Sequence, residues 1–308
     1  MTEFGPFTLW PEVGDDFPRA GSFSSTHWIH GTGDSEIAPY NEHSMYLDVV
    51  GESKFQNSAM RLGLLFERPI AMMAAEKISK HLQVGQFSAT PCNTRAIEYR
   101  GVSFRDTCDF SISQEGDDVF EEKFGLEIKT ISSFQQKSLW GDEWTDQVPR
   151  HVYHQCQAHM VANDFNQCFI AAWFYTPNEP TIYVVDREGD EYFLQTMGAL
   201  VSWHNEHVEA KEPLPVDASG ECTKYLNLVN QFTEDMTHAD ENDMSLMTAY
   251  VMAKKQHMEA KENLDLLKNQ MRDRIGESAG ISFGDYGHVK WSKGKTRRLT
   301  DNLTRGDV

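Results

Sequence analysis

The period at which apolar residues recur changes several times along this chain, and each change marks an element. Between 57 and 82, Leu62, Leu65, Phe66, Ile70, Met73, Ala74 and Ile78 recur at helical spacing, which predicts an amphipathic helix. Pro69 lies inside that pattern and predicts a kink or a fresh start near Glu67. Residues 96–104 read as a strand leading to Asp109. Two strand-forming runs, Asp109–Ser113 and Phe124–Thr130, then flank the Gly- and Asp-containing turn Gln114–Asp118, the pattern of a β-hairpin. The polar stretch 132–148 has no clear period, and loops this long in a compact domain are often functional. A helix follows from His151 to Asn163, with Val152, Cys156, His159 and Met160 on one face and with Gln155 and Gln157 also on it. Strands at Cys168–Phe174 and Thr181–Val185 precede a helix from about Glu188 to Glu209. The order helix, hairpin, helix, strands, helix predicts an α/β domain with a central mixed sheet flanked by helices.

The flanks differ from this core. Residues 1–26, rich in Gly, Pro, Phe and Ser, read as an irregular arm, and 27–210 as the core domain. Ser44–Gly51 reads as a short helix. The acidic segment 211–242, with Pro213 and Pro215, reads as a linker. From 243 to 275 one long helix carries Leu246, Tyr250, Ala253, Ala260, Leu264, Leu267 and Met271 at near-heptad spacing and ends at Gly276. Its apolar stripe calls for a partner surface, the core or a second copy of the chain, so a homo-oligomer is expected. The domain from 243 to 308 closes with a basic tail. There Lys290, Lys293, Lys295, Arg297 and Arg298 surround Trp291 and read either as a solvated tail or as a nucleic-acid contact.

Composition narrows the function classes. A hydrophobic content of 40% in 308 residues supports a real core. No apolar run is long enough to span a membrane and no signal-peptide pattern opens the chain, so a cytoplasmic location without membrane partners is expected. The five cysteines are scattered without a CxxC pair and read as reduced thiols; the 12 histidines show no HExxH spacing and read as ordinary polar residues. A net charge of −19 argues against a chain that coats nucleic acid, but not against an enzyme with a local basic cleft.

The candidate chemistry sits on the hairpin. Glu127 and Lys129 are two apart on one strand and share a face, and Asp109 reaches that face if the strands pair across the turn. Two converging carboxylates suit an oxygen-loving cation, Mg²⁺ or Mn²⁺, and an adjacent lysine can position a water or stabilise charge on a phosphoryl oxygen. Taken alone, the same residues also describe a solvated cross-strand ion pair. Glu67 is open to two readings, a stripe-edge residue or a carboxylate aimed into a cleft. The small-residue run Gly31–Ile37, containing Ser35 and Glu36, reads as a loop feeding a helix N-terminus, either a plain N-cap or an anion site.

The pattern Asp109…Glu127-Ile128-Lys129 resembles the PD-(D/E)xK nuclease motif, and the wider pattern resembles the YqaJ-like viral recombinases, which include the lambda-type phage alkaline exonuclease. Gly33-Asp-Ser35-Glu36 is similar to the family's loop, Gly63-Leu-Leu-Phe-Glu67 to its helix, Gly125-Leu-Glu127-Ile-Lys129 to its strand, and Gln155-Cys-Gln157 with Met160 to its second helix. Gly287-His-Val-Lys-Trp291 is similar to many of its tails. The resemblance covers 30–210 best. It implies a restriction-endonuclease-like core that digests duplex DNA from a 5′ end with two Mg²⁺ ions in phage-type recombination. DNA ends and a single-strand annealing protein would be its partners, in the host cytoplasm if phage-encoded. On that implication Asp109 bridges the ions, Glu127 and the Ile128 carbonyl complete one site and Glu67 serves the other. Lys129 orients the attacking water and Gln155 supports it. Ser35 and Thr107 contact phosphate, while Lys293, Arg297 and Arg298 of the tail are additional candidate phosphate contacts. Two positions depart from the family: Cys108 precedes Asp109 in place of proline, and Trp28 stands where an arginine often holds a terminal phosphate. The alternative is a nuclease fold that binds or scaffolds DNA ends without cleaving them.

Overall fold

The computed structural model describes residues 2–4, 7–10, 22–33, 41–52, 58–114, 124–131, 138–174, 179–230, 233, 236–284, 287–291 and 299–301. It divides into two compact units, Met1–Gln231 and Phe232–Val308.

In chain order the first unit contains strands β1 (Thr2–Phe4), β2 (Phe7–Trp10) and β3 (Ser22–Ser24), then helices α1 (Trp28–Gly31), α2 (Glu42–Val49) and α3 (Ser58–Leu82). Strands β4 (Phe87–Pro91), β5 (Arg95–Tyr99), β6 (Val102–Asp106), β7 (Phe110–Gln114) and β8 (Phe124–Thr130) precede α4 (Arg150–Asn163). Strands β9 (Gln167–Trp173) and β10 (Thr181–Asp186) and helices α5 (Asp190–His204) and α6 (Gly220–Val229) complete it. One sheet has the order β10-β9-β8-β7-β4, with β8 and β9 parallel and the other pairs antiparallel. The α/β expectation, a mixed sheet flanked by helices with a long C-terminal helix, is met.

The two-residue period of the strands sorts this sheet into two faces. Leu126 and Ile128 of β8, Phe169 and Ala171 of β9 and Ile182 of β10 pack with Ile70, Ala71, Ala74 and Ile78 of α3. Their neighbours Cys168, Ile170 and Ala172, with Tyr183 and Val185, face Val152, Cys156 and Met160 of α4. Pro69 lies within α3, which continues through it, so of the expected kink or fresh start the fresh start does not occur.

A second sheet, β1-β2-β5-β6-β3, corrects two expectations. The N-terminal arm contributes three strands to it. Residues 96–104 are not one strand but a hairpin, turned through Arg100 and Gly101, whose φ angles of 50° and 79° fit a type I′ turn. Phe23, Ile97, Val102 and Phe104 of this sheet pack with Ala158 and Val161 of α4 and with Phe193, Met197 and Leu200 of α5. Helix α4 is thus buried between two sheets. The five cysteines, scattered in sequence, gather in part: Cys108, Cys156 and Cys168 share one core cluster, and Cys92 packs against it.

The acidic stretch 211–242, read as a linker, contains α6. Its Tyr225 packs with Tyr46 and Leu214, because an apolar face inside a charged segment still has to be covered. The α5 helix ends at His204 in a π-turn, Asn205–Glu209. The second unit contains α7 (Glu241–Ile275) and a three-stranded antiparallel sheet, β11 (Gly280–Ser282), β12 (His288–Trp291) and β13 (Leu299–Asp301). The basic tail therefore begins within a sheet. Along α7 only Ile275 is buried, while Leu246, Tyr250, Leu264 and Leu267 are exposed.

Gly31 shows how closely α1 and α5 approach. A Cβ at this position would stand 2.5 Å from the Thr196 carbonyl oxygen and 2.9 Å from Leu200 Cγ. The contact is to backbone, so a side chain can be accommodated only by moving a helix. Gly31→Ala should destabilise the fold by about 1–3 kcal/mol, measured as a lowered midpoint in urea with an unchanged slope.

Candidate active site

The hairpin places its acids as the register predicts. Phe110 pairs with Leu126 and Ile112 with Phe124, which brings Asp109, just before β7, level with Glu127. Asp109 Oδ2 accepts the Ile128 N–H at 2.7 Å, and the Asp109 carbonyl accepts the Cys92 N–H at 3.2 Å. Both ends of this residue are therefore fixed to backbone.

Glu127 and Lys129 share the α4 side of β8. Lys129 Nζ donates to Glu127 Oε1 at 2.6 Å and to Gln155 Oε1 of α4 at 2.8 Å. An ammonium has three donors, so these two contacts aim Lys129 and leave its third N–H for another acceptor. Ile128 points to the opposite face, beneath α3. A Cβ on Gly63 would lie 3.4 Å from Thr130 Oγ1, so α3 passes close to the end of β8. Glu67, one helical turn on, follows on the same face and feels the charges of Glu127 and Lys129. The structure thus gathers Asp109, Glu127, Lys129, Gln155, Ile128 and Glu67.

Thr107 is exposed two residues before Asp109, and its hydroxyl lies 2.8 Å from that of Thr94. Ser35, Lys293, Arg297 and Arg298 lie outside the described residues. Trp28, at the position compared with a phosphate-holding arginine, is a core residue only 2% exposed.

The residue missed from sequence is His159. It is fully buried on α4, one turn after Gln155, and its Nδ1 lies 2.7 Å from Asp106 Oδ1 of β6. Its Nε2 lies 3.0 Å from Glu127 Oε2. Asn163 Nδ2 donates to the other Asp106 oxygen at 3.0 Å. Burial lowers the affinity of His159 for its proton, but the charges of Asp106 and Glu127 outweigh it and hold the imidazole well above its usual range. The available signal was weak: a histidine on the buried face of a helix, four residues past a glutamine already singled out.

The acids divide into two kinds. Burial would raise the Glu127 carboxyl, but Lys129 and His159 overcome it and lower it to about 2. For Asp109, burial and then the Glu127 charge push the carboxyl well above the usual range, against the opposing pull of Lys129 and the Ile128 N–H. Glu67 is raised by the same two causes. The pocket therefore contains more negative charge than its own cations neutralise. Cys108 Sγ also lies within 4.8 Å of a Glu127 carboxylate oxygen and a His159 nitrogen.

The raised Asp109 carboxyl has a consequence for stability. A group that binds its proton more tightly in the folded state favours folding below its unfolded pKa, and that contribution is lost as pH rises through the folded value. At neutral pH the Asp109 carboxylate thus opposes folding. Asp109→Asn keeps an oxygen for the Ile128 N–H and removes the charge. It should raise the thermal midpoint at pH 7 by about 2 °C or more, with the gain vanishing at acidic pH. A lowered midpoint at pH 7 would show that the charge is already balanced.

No family model matches the sequence, and no curated protein matches it. Among solved structures the chain is similar to an alkaline exonuclease (LHK-Exo) from Laribacter hongkongensis, at 13% identity and a TM-score of 0.42, over 63% of this chain and 93% of that one. It is also similar to a phage related exonuclease from Haemophilus somnus 129PT, at 10% identity and a TM-score of 0.36, over 61% of this chain and 83% of that one.

Proposed function

We propose that this chain is a metal-dependent nuclease that digests linear duplex DNA from an end, 5′ to 3′, in phage-type recombination. The observation that carries the reading is the convergence of Asp109, Glu127 and Glu67 with a lysine held between Glu127 and Gln155. A solvated cross-strand ion pair, the bland alternative, does not fit a Glu127 that is 3% exposed.

The donor set suits a hard divalent cation: carboxylate oxygens in excess of the local positive charge, two of them with raised proton affinity. Asp109, Glu127, Glu67 and the Ile128 carbonyl would hold two Mg²⁺ ions, or Mn²⁺ in their place. When bound, such ions supply Lewis-acid stabilisation of the attacking and leaving oxygens of a phosphodiester. The chain's own residues have separate tasks. Gln155 and Glu127 fix the Lys129 ammonium so that its remaining N–H can hold a water or a phosphoryl oxygen. His159 and Lys129 keep Glu127 ionised. Ser35 and Thr107 would contact phosphate in this reading. A single-strand annealing protein would receive the product strand, and the exposed near-heptad stripe of α7 would join copies of the chain.

The deciding experiment compares linear with covalently closed duplex DNA in Mg²⁺, each strand labelled at its 5′ end. Linear DNA alone should be degraded, and Asp109→Ala and Glu127→Ala should abolish cleavage. Lys129→Ala should lower the single-turnover rate by a factor on the order of 10² with DNA affinity retained. Wild-type protein that binds ends yet releases no nucleotide would replace this reading with that of an end-binding module.

Lys293, Arg297 and Arg298 are proposed to add affinity for the DNA backbone. Because Val289 is buried within β12, truncation would disturb the small sheet, so substitution is the cleaner test. Changing all three to alanine should flatten the dependence of log K on log salt by about 3, leaving the cleavage rate at saturating DNA unchanged. An unaltered slope would remove the tail from the interface.

A further inference from the structure

A second cluster of ligating side chains lies where α6 meets α2 and shares no residue with the pocket around Glu127. His43 of α2 is 3% exposed, and among the described residues neither ring nitrogen has a hydrogen-bond partner. Its ring meets Tyr225 edge-on with centroids 5.1 Å apart, and its Nδ1 stands 3.5 Å from Asp217 Oδ2. Cys222, in the first turn of α6, is a free thiol 2% exposed. One ligand atom from each of His43, Asp217 and Cys222 lies within 4.8 Å of the other two.

We propose that His43, Asp217 and Cys222 bind one borderline divalent cation, Zn²⁺ by their chemistry, which pins α6 to α2. A thiolate, an imidazole and a carboxylate are the donors zinc takes, and the first two are poor ligands for Mg²⁺ or Ca²⁺. Metal–ligand lengths of about 2.0–2.3 Å put the atoms of a tetrahedral shell roughly 3.3–3.8 Å apart, which includes the spacing of His43 and Asp217. The carboxylate is already oriented: Asn41 Nδ2 donates to Asp217 Oδ2 and the Ser219 N–H donates to Oδ1, each at 2.8 Å. Such outer partners are typical of ligating carboxylates. Asp217 is 43% exposed, so the ion has a route in and water can take a fourth position. Helix α6, which buries only Cys222 and Tyr225, gains a cross-link to α2 beyond their small shared core of Tyr46, Leu214 and Tyr225.

The test uses the reduced, chelator-stripped full chain titrated with Co²⁺ and then Zn²⁺. One equivalent of Co²⁺ should produce a near-ultraviolet thiolate-to-cobalt charge-transfer band with intense visible bands of four-coordinate cobalt, all bleached by Zn²⁺. Zn²⁺ should also raise the unfolding temperature. Cys222→Ser should lose the charge-transfer band, whereas Cys108→Ser should keep it. Asp217→Ala changes a surface residue and should still fold, yet weaken cobalt binding at least about tenfold. Absence of the band in the wild type, its survival in Cys222→Ser, or an Asp217→Ala affinity equal to wild type would overturn the proposal. None of these readouts depends on DNA cleavage.

Discussion

The first unit is tied together by one buried chain of charge, Asp106–His159–Glu127. Its members come from three elements: β6 of one sheet, α4, and β8 of the other. All three side chains are at least nine-tenths buried, so none can exchange its partner for water. Removing one partner from such a buried set costs about 3–5 kcal/mol, although the intact set adds little net stability over an apolar replacement. What the set fixes is geometry. Apolar packing would tolerate small slides of α4 between the sheets, whereas an imidazole hydrogen-bonded to Asp106 on one edge and ion-paired with Glu127 on the other does not.

This arrangement explains the placing of the other site residues. Helix α4 is covered on both sides, so its buried polar residues must find partners inside the protein. His159 takes Asp106 and Glu127; Gln155, one turn earlier, takes Lys129; Gln157 bonds to the Asp186 carbonyl and the Glu188 N–H. From Gln155 to His159, α4 thus runs opposite to β8, meeting Lys129 first and Glu127 second. Glu127 is braced from behind, and Lys129, nearer the strand end, is braced where the pocket opens.

Much of this was legible in the sequence, and what was not has identifiable causes. The strand-forming runs of β8 and β9 and the long period of α3 survive because each faces an extensive core. The pairing of Asp109 with Glu127 followed from strand periodicity and a turn. The second sheet was not legible, since Ser22–Ser24 is too short to show a period and lies among glycines and serines, and the turn at Arg100–Gly101 is hidden inside a run that reads as one strand. Helix α6 was hidden by the acidic residues around it. His159 was placed on the apolar face of its helix, which is where it lies, but periodicity reports burial and cannot report a partner from a distant strand. The cysteine gathering was invisible for the same reason: it depends on β7, α4 and β9 meeting, not on spacing.

Charge balance explains why the acids of one pocket behave differently. Asp106 is matched by His159, and Glu127 by Lys129 together with the same imidazole. Asp109 and Glu67 feel Lys129 but, among the described residues, form no ion pair of their own, and these are the two carboxyls whose proton affinity rises. Asp109 already gives one oxygen to a backbone amide, which leaves its charge oriented but only partly compensated. A site that only stabilised the fold would gain by replacing these two acids with amides. Retaining both, next to a glutamate with two cationic partners, concentrates the deficit on Asp109 and Glu67, where a divalent cation would gain most in Coulomb energy. On the proposed reading, the bracing of Glu127 and the frustration of Asp109 and Glu67 are complementary, one part of the pocket held still so that another can stay reactive.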